Sequence, residues 1–196
     1  MLKSSIYAVL DELYCVWEID LRRRNLAFLK GIDAEYFEYL ATSSIDALDN
    51  DESKMRAAAS LRLGFYNGLE TLFLLLGALL QAPDCAYAWV AQCTTGQLRE
   101  LLRRIDHGDS SLPLKVTLEP LTWVRIAKGI MAYSNSDPLK ADRNGELFGR
   151  LWKNLASEYG KDANVKEYNS LKHGFRVSHG GFNLVFGPEH EYGVAP

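Results

Sequence analysis

Leu69-Glu70-Thr71-Leu72-Phe73-Leu74-Leu75-Leu76-Gly77-Ala78-Leu79-Leu80-Gln81-Ala82-Pro83 is the stretch on which the fold class turns. Leu69, Leu72, Phe73, Leu76, Leu79 and Leu80 leave it apolar on nearly all sides, as a helix surrounded by other helices must be. The uncharged run from Thr71 to Pro83 lies between Glu70 and Asp84. It is well short of the ~20 residues that a spanning helix needs. The pattern therefore predicts a buried central helix over 52–82, ended by Pro83 and preceded by the polar segment Asp49-Asn50-Asp51-Glu52-Ser53.

Reading toward the C-terminus, Asp84 is placed to cap a short helix through Val90. Thr94 with Gln97 spells a capping box for a helix with Leu98, Leu101, Leu102 and Ile105 as its core stripe, closed by Gly108. Residues 108–119 form the main loop, and Pro120 suits the first position of a helix reaching Tyr133. Asn135-Ser136-Asp137-Pro138 is a turn. A helix marked by Leu147, Leu151 and Leu155 follows and stops at Gly160, and a last helix covers 162–173 with Gly174 as its stop.

Toward the N-terminus, Asp33 reads as the cap of a helix reaching about Leu48, and Gly31 as the stop of an earlier one. In that first segment Leu2, Ile6, Leu10, Leu13, Trp17 and Leu21 follow three-or-four spacing, which predicts one amphipathic helix. Beyond Gly174 the period changes to two. Phe175, Val177 and His179 alternate with Arg176 and Ser178, and after Gly180-Gly181 come Phe182, Leu184 and Phe186. A Gly-Gly turn sets all six on one face of a β-hairpin. The expected architecture is mainly α: an up-and-down helical bundle over 1–174, with a short C-terminal β-hairpin and tail over 175–196 packed on the same domain.

The chain has 196 residues and a net charge of −3, so no global positive field favours nucleic acid. Arg22-Arg23-Arg24 reads as a solvated helix face. Cys15, Cys85 and Cys93 are an odd set without Cys-x-x-Cys spacing, which points to reduced thiols in a cytoplasm. Early acids (Asp11, Glu12) break any signal-peptide pattern. The four histidines form no zinc motif, Glu189-His190-Glu191 reads as a solvated cluster, and neither a nucleophile elbow nor a phosphate loop occurs. No cofactor and no metal are expected.

The segment Tyr168-Asn169-Ser170-Leu171-Lys172-His173-Gly174-Phe175-Arg176 carries the candidate site. Asn169, Lys172 and His173 share a helix face, and Arg176 is positioned to fold back over it. One amide and three cationic donors suit a phosphate or carboxylate. The same lysine and histidine also complement the negative end of the helix dipole. Arg62, Tyr66 and Glu70 recur one turn apart on the central helix, with Asn67 beside them. A charge so near the core needs a partner, so Glu70 is expected to pair with Lys172, His173 or Arg176. That pairing either clamps two helices or orients His173 as a general base.

At Asn169-Ser170-Leu171-Lys172-His173-Gly174 the sequence resembles HEPN domains and uncharacterised bacterial proteins near them. The resemblance implies an up-and-down bundle, often dimeric. In active members it implies a metal-independent ribonuclease using a histidine and an arginine four to six residues before it. His173 stands at the histidine position, while the upstream positions, Leu171 back to Glu167, include Asn169 and no arginine. The function expected is a non-catalytic interaction or anion-binding module, working as a homodimer away from membranes. The alternative is an RNA-cleaving enzyme with His173 as acid/base and Arg176 or Lys172 on the phosphate.

Overall fold

The computed structural model describes residues 3–112 and 119–172, and these are mainly α-helical. The chain opens with strands β1 (Lys3–Val9) and β2 (Glu12–Glu18), then helices α1 (Leu21–Lys30) and α2 (Glu35–Asp46). A 3-10 turn (Ala47–Asp49) leads to α3 (Lys54–Gln81), followed by α4 (Ala86–Gln92) and α5 (Thr95–Asp106). Helices α6 (Trp123–Ser134), α7 (Pro138–Gly160) and α8 (Asp162–Lys172) complete it.

The first segment corrects the expectation of an N-terminal helix. β1 and β2 form a two-stranded antiparallel hairpin with Ile6 opposite Cys15, Tyr7 opposite Tyr14 and Ala8 opposite Leu13. Tyr7, Val9, Tyr14 and Val16 face the helices, with the Tyr7 and Tyr14 rings stacked at 5.7 Å. The opposite face carries Ile6, Leu13, Cys15 and Trp17. Because both faces are apolar, alternation is invisible, and three-or-four spacing matches a helix by accident. The β-branched and aromatic content of 6–17 fits strands better. The predicted C-terminal hairpin and Gly174 lie outside the described residues.

Buried polar contacts fasten the hairpin to the helices. Leu10, at the turn, has φ 56°, a left-handed conformation that strains a branched residue. The buried Gln81 side chain at the end of α3 holds that turn from both sides. Leu10 N donates to Gln81 Oε1 at 2.9 Å, and Gln81 Nε2 donates to Leu10 O at 3.1 Å. Trp89 Nε1 adds a bond to Ala8 O at 2.9 Å.

Helix α3 is central as expected, packing on α2, α4, α5, α7 and α8. Taken over its 28 residues it is also long and apolar enough to cross a membrane, which the run from Thr71 to Pro83 is not. Phe73, Tyr66, Leu69 and Leu76 are buried against Trp89, Leu101, Trp123, Tyr159 and Tyr168. Gly77 is required there, because an added Cβ would stand 2.4 Å from the Trp89 ring.

Capping chemistry was largely read correctly. The Thr94/Gln97 box opens α5, and Leu98, Leu101, Leu102 and Ile105 are buried. The Asp33 carboxylate accepts from the Glu35 and Tyr36 amides. At the predicted 135–138 turn the structure adds that Asp137 caps α7, with Pro138 in its first turn. Three expectations fail. Asp84 does not cap α4, whose first turn follows Cys85 without a side-chain cap. α6 starts at Trp123 with Thr122 as its cap, not at Pro120, since Thr122 Oγ1 takes the Arg125 amide. In α7, Leu147 and Leu151 are solvent-exposed. The buried stripe is instead Ala141, Gly145, Gly149, Trp152, Ala156 and Tyr159. Small residues win because α6 lies so close that a Cβ on Gly149 would be 2.4 Å from Val124 Cα.

Candidate functional site

The α3–α8 junction contains the described part of the sequence-predicted site. Arg62, Tyr66, Asn67 and Glu70 run along one side of α3, at the spacing that keeps a stripe on one face. Arg62 donates to Glu167 Oε2 through Nε (3.1 Å) and Nη2 (2.8 Å), and to Asn164 Oδ1 at 3.0 Å. Its guanidinium lies over the Tyr66 ring at 4.8 Å. One turn on, the buried Tyr168 hydroxyl shares its proton between Asn67 Oδ1 (2.5 Å) and Glu70 Oε2 (2.8 Å). Lys172 Nζ stands 3.7 Å from the same carboxylate oxygen and 5.4 Å from the Tyr168 ring centre.

Glu70 thus meets Lys172, one of its three expected partners, and also Tyr168, which sequence reading did not propose. His173 and Arg176 lie outside the described residues. Asn169 is exposed on α8, as is Lys172. Spacing along α8 carries a cue to Tyr168, although not to its partner. Tyr168 stands one turn before Lys172 at the end of α8, at the helical spacing that lets the two bracket one acceptor.

The electrostatics of the junction favour neutral, unreactive side chains. Burial raises the Tyr168 and Tyr159 phenols above the ordinary tyrosine value, and the Glu70 carboxylate raises both further. Burial, then Glu70, pushes the Cys93 thiol up to about 12. Tyr159 Oη and Tyr66 Oη are buried without a hydrogen-bond partner. A thiol held protonated is a poor nucleophile at neutral pH.

His107, the one histidine among the described residues, turns its Nδ1 to the Arg103 carbonyl at 2.6 Å, at the end of α5. Among the described residues no group of three or more His, Cys, Asp or Glu side chains is arranged to hold a metal ion. Arg22, Arg23 and Arg24 are exposed. Arg24 pairs with Glu18 at 2.9 Å and lies over Tyr87, while Arg23 pairs with Asp20.

The feature missed by sequence reading is the outer face of the N-terminal hairpin. Ile6, Leu13 and Trp17 are 67%, 78% and 67% exposed, and Cys15 is exposed between them. Ser4 and Ala8 complete a face with no charged side chain. Scattered exposed apolar residues are ordinary, but a contiguous set on one sheet face is not. The sequence cue was two apolar faces in 4–17, visible once the segment is read with period two. Comparison with protein-family models, curated proteins and solved structures finds no match to this chain.

Proposed function

We propose that the chain is a non-catalytic helical-bundle interaction module of the cytoplasm that self-associates through the outer face of its N-terminal hairpin. The observation that carries this reading is the uncharged row Ile6, Leu13, Cys15 and Trp17 on that face. The face presents on the order of 400 Å² of apolar surface, comparable to the largest patch of an ordinary monomer. A second copy covers it without like-charge conflict, since an isologous contact sets the same uncharged patch against itself. Two such faces remove on the order of 800 Å² in total, the size of a weak, concentration-dependent contact. The non-catalytic part is supported by the α3–α8 junction, where Tyr168 and Lys172 meet Glu70 and Arg62 is paired with Glu167.

Light scattering across micromolar concentrations tests the proposal, together with the labelling rate of Cys15 by a thiol reagent. The expected result is a mass that rises with concentration while Cys15 labelling slows. Trp17→Glu should keep the mass at that of a monomer and the labelling fast. A monomer at every concentration, with a constant labelling rate, would sink the reading.

A further inference from the structure

Helix α1 holds four of the chain's 22 lysines and arginines and none of its 25 acids. In sequence Arg22-Arg23-Arg24 reads as a solvated face, but the structure leaves apolar side chains bare among these cations. Leu21 and Phe28 pack on the core, and α1 lies against α4. On the same side the buried Asn25 donates through Nδ2 to the Pro83 carbonyl at 3.1 Å. These contacts fix the rotation of the helix. Its outer side carries Arg22, Leu26 and Lys30 at i, i+4 and i+8, with Leu29 and Arg23 beside them. Leu26 is 49% and Leu29 42% exposed, and Ile19, just ahead of the helix, is 76% exposed.

The cations differ in how they are held. Arg24 pairs with Glu18, and Arg23 with Asp20. Arg22 and Lys30 are exposed, and neither side chain has a hydrogen bond or ion pair among the described residues. Arg22 shares a cleft with Asn25 and Asp84, where β1, the start of α1 and the turn after α3 meet, without pairing to that carboxylate. Solvation accounts for a bare cation and, singly, for a bare leucine. It does not account for three apolar side chains in one row with unpaired cations along it.

That combination selects a partner. Aliphatic side chains enter the boundary between lipid headgroups and acyl chains, while long cationic stems return their charges to the headgroups. Nucleic acid would call for rings on which bases stack, and the one aromatic residue of α1, Phe28, packs on the core instead. The net charge of −3 does not oppose an anionic surface, because the Debye length of about 8 Å at physiological salt screens the distant acids.

We propose that α1 docks the protein on an anionic membrane surface. Ile19, Leu26 and Leu29 enter the headgroup layer, and Arg22 and Lys30 meet the acidic headgroups. This departs from the expectation of a module away from membranes. The contact is peripheral and uses residues other than the hairpin's apolar row, so it is independent of self-association.

Vesicle flotation of the full chain tests it. The protein should float with phosphatidylcholine vesicles containing about one-third phosphatidylserine, and not with phosphatidylcholine alone. Arg22→Gln with Lys30→Gln should lower partitioning about 25-fold, about fivefold for each cation. Leu26→Gln with Leu29→Gln keeps the charge and should lower it about tenfold or more. All four side chains are exposed, so the circular dichroism spectrum and the light-scattering mass should match the parent chain. Loss of docking is thereby read apart from loss of folding or of self-association. Flotation that needs both phosphatidylserine and the two leucines bears the proposal out. No flotation on the mixed vesicles overturns it, as does equal flotation on phosphatidylcholine alone or flotation that the leucine substitutions leave unchanged. Binding of labelled single-stranded DNA without flotation, weakened by the Arg22 and Lys30 substitutions, would overturn it in favour of a nucleic-acid contact.

Discussion

Glu70 links the sequence reading to the structure. Its carboxylate was expected to need a cation, yet its shorter contact is to the buried Tyr168 hydroxyl, and Lys172 approaches from a half-exposed position. A hydrogen bond from a buried phenol to a carboxylate contributes more than a solvent-screened ion pair at 3.7 Å. Tyr168→Phe should therefore cost about 1–3 kcal/mol in urea unfolding. Lys172→Ala should cost no more than about 0.5 kcal/mol. The reverse order would mean that the lysine, not the tyrosine, ties α8 to α3. Gln81 sets a second case. Gln81→Leu leaves the Leu10 amide and carbonyl without their side-chain partners, so a loss of about 2 kcal/mol or more is expected. Leu10→Gly should be tolerated, because glycine adopts a positive φ without strain.

Helix packing gives a contrast between two glycines on neighbouring elements. On α7, Gly149 lets α6 approach until backbone meets backbone, and a methyl group there would stand 2.4 Å from Val124 Cα. On α6, a Cβ at Gly129 would have nothing within 4 Å. Gly149→Ala should lower the melting temperature, with a cost of about 1–3 kcal/mol from overpacking. Gly129→Ala should raise it by removing unfolded-chain entropy worth about 0.5–1 kcal/mol. Equal shifts for both would refute the close α6–α7 approach. The element boundaries were legible because caps are local: a threonine and a glutamine three residues later satisfy amides whatever lies farther away. The buried face of α7 was not legible, because leucines on an exposed face and glycines on a buried one invert the usual reading. Only the proximity of α6 decides it.

Across the whole molecule, three groups beside α3 share one pH dependence. Tyr159, Tyr168 and Cys93 all have pKa values raised by folding, so the folded state holds protons that the unfolded chain releases sooner. Their contribution to stability is present in full below the ordinary thiol and phenol values. It is lost as pH rises from about 9 toward about 12 for Cys93, and the phenols, raised in the same direction, add to the loss on the alkaline side. The urea midpoint should fall steeply in that alkaline range, and Tyr159→Phe or Cys93→Ala should flatten the fall. An alkaline slope identical in both variants and the parent chain would contradict the burial of these groups.

By itself the sequence determined the central helix, the capped start of α5, the turn before α7, the end of α3 before Pro83, and the need of Glu70 for a partner. These follow from short-range rules: the period of apolar residues, the geometry of a turn, and the cost of an unpaired charge. Tertiary structure decided the rest. It made strands of 3–18, where apolar side chains on both faces hide the alternation until one face is seen to be buried and the other bare. It gave Glu70 a tyrosine, because the approach of α8 places the hydroxyl within reach. It also brought Asn25, Asp84 and Arg22 to one cleft, a meeting of distant segments that no spacing in the chain records.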